Sequence, residues 1–203
     1  MMARELIATE TIALSPGDAL LVVDVQNDFL PGGALAVPCG DRVIPVINAY
    51  LHRFRLRGYP VFATRDWHPA DHCSFLAEGG PWPPHCIANT GGAGFPTDLA
   101  LPADLQPISK ATARAPDSYS GFAGTDLADR LREAGVKRLF VAGLATDYCV
   151  LHTVCDALAE GFAVVLLVDA VRAVNARAHD GDAAIAEMTS RGAVSATSEQ
   201  IPN

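Results

Sequence analysis

Lysine is scarce in this 203-residue chain: of its 15 basic residues, only Lys110 and Lys137 are lysine, the other thirteen being arginine. Positive charge is short overall, with 23 acidic residues and a formal net charge of -8. No basic field exists to draw in a phosphate backbone or an anionic bilayer, so neither nucleic acid nor membrane is an expected partner. Long apolar runs are missing too. The longest, Phe162 to Val168, falls far short of the ~20 residues a membrane helix needs. The opening MMARELIATE lacks the apolar stretch of an export signal. Nor is the chain poor in apolar residues: 50% are hydrophobic and 19% charged, which excludes a disordered or low-complexity protein. Five cysteines are an odd number in a chain too long to need disulfide staples, and this predicts a reducing, cytoplasmic setting. G-x-S-x-G, P-loop and H-E-x-x-H patterns do not occur, and Gly91-Gly92-Ala93-Gly94 lacks both the third glycine and the preceding strand of a dinucleotide fingerprint.

What is present is an alternation of apolar strands and amphipathic helices. Ala19 to Val23 is an unbroken apolar run and reads as a strand buried on both faces. Asp41 to Arg57 carries Val43, Ile44, Ile47, Leu51 and Phe54 at helical spacing, closed by Gly58. Tyr59–Thr64, Leu105–Ser109, Arg138–Ala142, Phe162–Val168 and Ala193–Thr197 read as further strands; Thr125–Ala134, Asp147–Glu160 and His179–Ser190 read as helices. Between Arg65 and about Leu105 lies a Pro- and Gly-rich stretch without period, whose aromatics Trp67, Phe75, Trp82 and Phe95 predict an ordered, functional loop. The pattern predicts one α/β domain over 1–203, a Rossmann-like three-layer α/β/α arrangement around a central parallel sheet.

In such sheets chemistry gathers at the carboxyl ends of the strands. Here those ends carry Asp24, Arg65-Asp66, Lys110 and Gly143 to Cys149. Asp24 follows five apolar residues and is costly there unless paired; a cap on the Gln26-Asn27-Asp28 turn is the competing reading. Asp66 and His68, two apart on an extended segment, point to one side, and His85 is available from the far end of the loop. Two imidazoles and a carboxylate form a divalent-metal set. Ordinary surface histidines, or a structural zinc site from His72-Cys73 and His85-Cys86, are the alternatives. Lys110 is a compact cation where the chain otherwise uses arginine, which cannot give up its proton. Cys149 follows a strand and a Gly-containing turn at the start of a helix. The helix terminus is expected to lower its pKa, backbone N–H groups to hold an oxyanion, and Thr146 or Asp147 to cap the helix. Cys39, Cys73, Cys86 and Cys155 read as packing thiols. His152 reads equally as a base or as a packed side chain.

Taken together, Val22-Val-Asp24-Val-Gln-Asn-Asp-Phe29, Asp66-Trp-His68-Pro, Pro81-Trp-Pro-Pro-His85, Lys110, Asp117-Ser-Tyr-Ser-Gly-Phe122 and Gly143-Leu-Ala-Thr-Asp-Tyr-Cys149 resemble the nicotinamidase/pyrazinamidase branch of the isochorismatase-like cysteine hydrolases. The resemblance spans about residues 18 to 198. It implies a catalytic triad of Asp24, Lys110 and Cys149, and an oxyanion hole from the N–H groups of Ala145 and Cys149 after a cis Leu144-Ala145 peptide. It also implies a divalent ion (zinc, or manganese or iron) on Asp66, His68 and His85, and substrate contacts from Phe29, Trp82 and Tyr119. His72 matches a position that contacts the metal in some members. The implied reaction is hydrolysis of nicotinamide, and of pyrazinamide, in NAD salvage. The runners-up are an amidase acting on another small amide or on isochorismate, and a non-catalytic binding protein on the same fold. Monomer and homo-oligomer both stay open. The chain departs from the family in Ala111, where glycine often follows the lysine, in the length of the segment from Ala111 to Ser118, and in His152 and Cys155 on the helix after the nucleophile.

Overall fold

The computed structural model describes residues 11–202; the MMARELIATE segment lies outside them. Six strands form one sheet: β1 (Asp18–Val23), β2 (Val61–Asp66), β3 (Ile108–Lys110), β4 (Arg138–Leu144), β5 (Ala163–Arg172) and β6 (Val194–Ala196). Their order is β3-β2-β1-β4-β5-β6, with every neighbouring pair parallel. Strand order reverses between β1 and β4, which opens a crevice at their carboxyl ends. Among the described residues, no helix is long and apolar enough to cross a membrane.

Alternation along β1 feeds two cores. Leu20 and Val22 pack on one face with Ile47, Leu51 and Phe54 of α1 (Val43–Leu56). Ala19, Leu21 and Val23 pack on the other face with α2 (Leu127–Glu133), α3 (Leu151–Ala159) and α4 (Asp180–Ser190), through Leu131, Val154 and Met188. Each such large side chain contributes about 1.5–3 kcal/mol on burial, so a one-residue slip of β1 would exchange the two sets and lose both.

The second strand lies two residues later than expected, at Val61–Asp66, and three other elements depart with structural consequence. β5 runs on to Arg172 because its pairing with β4 slips: Val141 faces Leu166 but Gly143 faces Val171. The extra residues place Asp169 to accept from the Tyr50 hydroxyl (3.0 Å) and the Ser198 amide (2.8 Å). The third strand is displaced to Ile108–Lys110, since Leu105 is held in a turn on the Pro102 carbonyl (3.1 Å). The helix expected from Asp147 begins instead as a π turn over Thr146–Val150, and α3 proper starts at Leu151. The long loop is ordered as its aromatics predict, with β-bridges joining His68 to Ile87 and Phe75 to Trp82.

Gly143 marks the closest approach of β1 and β4. Its φ is +123°, and a Cβ there would meet the Val23 carbonyl oxygen at 2.0 Å. Gly143→Ala is expected to cost about 3 kcal/mol or more in denaturant unfolding. Gly58→Ala (φ +67°, with open space around it) should cost only about 1–2 kcal/mol. Equal costs would contradict the crowding argument.

Candidate active site

Lys110 is the centre of the site. Its ammonium, on a residue 1% exposed, lies 3.1 Å from Asp24 Oδ2 and 3.5 Å from Cys149 Sγ. It also donates to Asp66 Oδ1 and to the Ser118 carbonyl (3.2 Å). Each partner comes from a different strand end: Asp24 after β1, Asp66 closing β2, Cys149 in the π turn after β4. Asp24 is fully buried with φ +47°, and its Oδ1 accepts from the Thr64 hydroxyl at 2.7 Å. Its side chain does not cap the Gln26–Asp28 turn.

Charge explains the proton affinities. Burial raises the Asp24 carboxyl to about 6; the Asp66 charge adds to this, while Lys110, Thr64 and the thiol oppose it. Burial alone would lower Lys110, but Asp24 and Asp66 outweigh it and hold the ammonium well above its ordinary value. Asp66 stays below the ordinary carboxylate range despite burial, because Lys110 and the histidines favour its charge. The Cys149 thiol is pushed well up by burial, with Lys110 only partly compensating. This reverses the expectation of a thiol lowered by a helix terminus: a π turn at the site offers less of that field than desolvation takes away.

The metal donors gather as a second unit. Ligand atoms of Asp66, His68 and His85 all lie within 4.8 Å of one another, and all three residues are buried. His68 Nδ1–H donates to the Ala111 carbonyl (3.2 Å) and His85 Nδ1–H to the Pro83 carbonyl (2.8 Å), which leaves Nε2 as the ring atom available for ligation. Burial lowers the His68 pKa to about 4, which keeps its imidazole neutral and able to ligate. With Asp66 Oδ1 taken by Lys110, Oδ2 faces the histidines, 3.7 Å from His68 Nε2. The set fits a divalent ion. His72 stacks on His68 at 4.1 Å but is held by Ser74 Oγ (2.8 Å), and it is not part of the clustered donors. The alternative zinc site from His72-Cys73 and His85-Cys86 does not assemble among the described residues.

Cys149 of the first unit and Asp66 and His85 of the second line one cavity, whose free space is about 410 Å³ when its open mouth is counted. Phe29, Trp82, Tyr119, Ala145 and Cys149 line it. The Trp82 indole N–H donates to the Tyr119 hydroxyl (3.0 Å). The Leu144–Ala145 peptide is cis, and the Ala145 carbonyl accepts from the Tyr148 and Val150 amides, winding the turn that carries Cys149. His152 is exposed, stacks on Tyr119 at 5.4 Å and is not among the residues lining the cavity. Asp147 does not cap α3: its carboxylate accepts from the Val174 and Asn175 amides (2.9 and 2.8 Å), tying the π turn to the loop after β5.

Over residues 18–200 the sequence matches the isochorismatase domain. The chain belongs to the isochorismatase family. Among its family relatives, the nicotinamidase of Escherichia coli is 41% identical over 199 residues, covering 88% of this chain and 93% of that one. The structure of a pyrazinamidase of Pyrococcus horikoshii in complex with zinc superposes with a TM-score of 0.86 at 52% identity, covering 90% of this chain and 99% of that one. A protein of L. infantum in complex with nicotinate gives a TM-score of 0.86 at 38% identity, covering 95% and 98%.

Several residues of this isochorismatase-family site escaped the sequence reading. Tyr148 lines the cavity and packs edge-on against Trp82 at 5.2 Å; its place directly before the candidate nucleophile was the available signal. Gln26 accepts from the Asp66 amide (2.7 Å) and donates to the Asp66 carbonyl (2.8 Å), fixing that residue's backbone. Asp28 accepts from the Cys86 amide (2.7 Å), and Gly92 is glycine because a Cβ would lie 2.2 Å from Asp28 Oδ2. Nothing local in the sequence shows either contact. One divalent ion per chain is expected by elemental analysis. His68→Ala and His85→Ala should each weaken its binding more than about 100-fold in competition with a chelator. Unchanged affinity in both variants would contradict the assigned donor set.

Proposed function

We propose that this protein is a nicotinamidase, hydrolysing nicotinamide to nicotinate and ammonia through a thioester on Cys149, with pyrazinamide as a second substrate. The observation that carries this reading is that Cys149, with Lys110 beside it and Asp24 beyond, lines the same small cavity as Asp66 and His85 of the clustered donors. The named activities of its relatives support it. The rival reading, an amidase for an unrelated small amide, leaves the buried donor set without a use.

In the resting site Asp24 is a carboxylate, Lys110 an ammonium and Cys149 a thiol. The substrate ring enters between Phe29 and Trp82, with Tyr119 closing the side. Asp66, His68 and His85 would hold a divalent ion, for which zinc best matches the donors, and it would supply a Lewis-acid point for a ring nitrogen. Asp24 takes the thiol proton as Sγ attacks the carboxamide carbon, and the N–H groups of Ala145 and Cys149 receive the oxyanion. Lys110 stabilises the thiolate as it forms. Asp24 then returns the proton to the departing amine, and ammonia leaves. Water attacks the thioester, again giving up a proton to Asp24, and nicotinate is released with the thiol restored. The five cysteines, unpaired in the structure, suit a cytoplasmic enzyme.

Cys149→Ala should leave less than about one part in a thousand of the ammonia-release rate while keeping the metal content of the parent. Retained activity above that level would sink the nucleophile assignment. The pH dependence has a definite sign. Asp24 must be ionised to accept the thiol proton, so kcat/KM should fall about tenfold per pH unit below about 6 and level off above it. The Thr64 hydroxyl stabilises the ionised form, so Thr64→Val should move this limb to higher pH. A limb that stays in place or moves down would exclude Asp24 as the base.

A further inference from the structure

A nucleophilic thiolate beside a zinc site poses a problem: cysteine sulfur is among the strongest zinc ligands, and an ion bound there would abolish nucleophilicity. In this protein the thiol already belongs to a second potential donor set. Ligand atoms of Asp24, Asp66 and Cys149 all lie within 4.8 Å of one another, all three residues are buried, and Asp66 is shared with the histidine site. Asp24 Oδ2 is a fully buried oxygen with no hydrogen-bond partner among the described residues, an orphan of the kind a bound cation satisfies. The cation beside it is the protein's own. The Lys110 ammonium lies 3.1 Å from that oxygen, 3.5 Å from Sγ, and on the Asp66 oxygen that faces away from the histidines.

We propose that Lys110 fills a latent thiolate–carboxylate metal site and so keeps divalent ions off Cys149, confining them to Asp66, His68 and His85. This role rests on reading those three residues as the metal site and Cys149 as the nucleophile, and it is separate from any effect of Lys110 on proton transfer. A tethered ammonium competes at high effective concentration with any ion from solution. Its charge also opposes entry of a second cation next to the first. A lysine suits the place where an arginine would not: its charge is compact and its donors rotate, whereas a guanidinium presents its donors in a fixed planar fork. The class of ion excluded is the borderline-to-soft divalent metals, zinc, cobalt and cadmium.

The full-length protein loaded with Co²⁺ provides the test. The wild type should hold one ion per chain and show no thiolate-to-cobalt charge-transfer absorption. Lys110→Ala should hold two and show the band, with the Cys149 proton released to buffer as the metal–sulfur bond forms. Lys110→Ala/Cys149→Ala should lose both the band and the second ion. A folded Lys110→Ala protein with one ion and no band overturns the proposal. The wild type gives a second reading that does not require the variant to fold. Alkylation of Cys149, followed by peptide mass spectrometry on protein already holding one zinc, should keep its rate within about twofold in roughly tenfold excess zinc. Protection of about tenfold or more under those conditions overturns the proposal. Failure of the underlying site reading looks different: a wild type that binds no ion removes the metal site itself, whereas a wild type that binds one ion with the charge-transfer band removes only the exclusion.

Discussion

One buried cation organises this molecule's chemistry. Taking an ammonium and two carboxylates out of water costs several kcal/mol per ion, and only close, well-partnered geometry offsets it. Lys110 meets that condition with Asp24, Asp66 and the Ser118 carbonyl. Because these partners sit at the ends of separate strands, the ion cluster exists only when β1, β2 and β3 are in register and β4 delivers its π turn beside them. The sheet therefore positions the site, and the site in turn penalises any other register. Asp66 is the hinge between the two halves, with one oxygen committed to the ammonium and the other facing the histidines.

The same cluster sets the protonation states. A thiol raised by burial beside a carboxylate raised to about 6 is a pair in which the proton rests on sulfur but has a nearby acceptor of suitable strength. Transfer moves negative charge from Asp24 to Cys149 without moving it away from Lys110. In the proposed reaction the cost of forming the thiolate is met during attack on the substrate rather than carried at rest.

Much of the arrangement was legible in the residues. An apolar run ending in Asp24, an isolated Lys110 among arginines, and a Gly-turn-Cys149 sequence mark strand ends, and strand ends in a parallel sheet converge. The Asp66–His68 spacing and the distant His85 came together as metal ligands would. What periodicity could not show depends on contacts distant in sequence. Gln26 and Asp28 read as turn residues but clamp loop segments 40 and 58 positions away. Asp147 looked like a helix cap because its partners Val174 and Asn175 lie beyond a strand whose own length was hidden by the slip in β5. A helix start visible in sequence predicts a lowered thiol pKa, whereas the burial that raises it at Cys149 is a property of the assembled cavity. Ala111 adopts φ +48° and offers its carbonyl to His68, so an alanine keeps the backbone shape that orients this candidate ligand.

The central claim is that sulfur, rather than a water molecule, makes the first bond to the carboxamide carbon. Turnover of nicotinamide in the presence of hydroxylamine tests it most directly, because an acyl-enzyme partitions between water and the added nucleophile whether or not it accumulates. Attack by Cys149 predicts that the hydroxamate forms at the expense of nicotinate, while ammonia continues to equal the sum of the two products. Nicotinate as the sole product at every hydroxylamine concentration would contradict it.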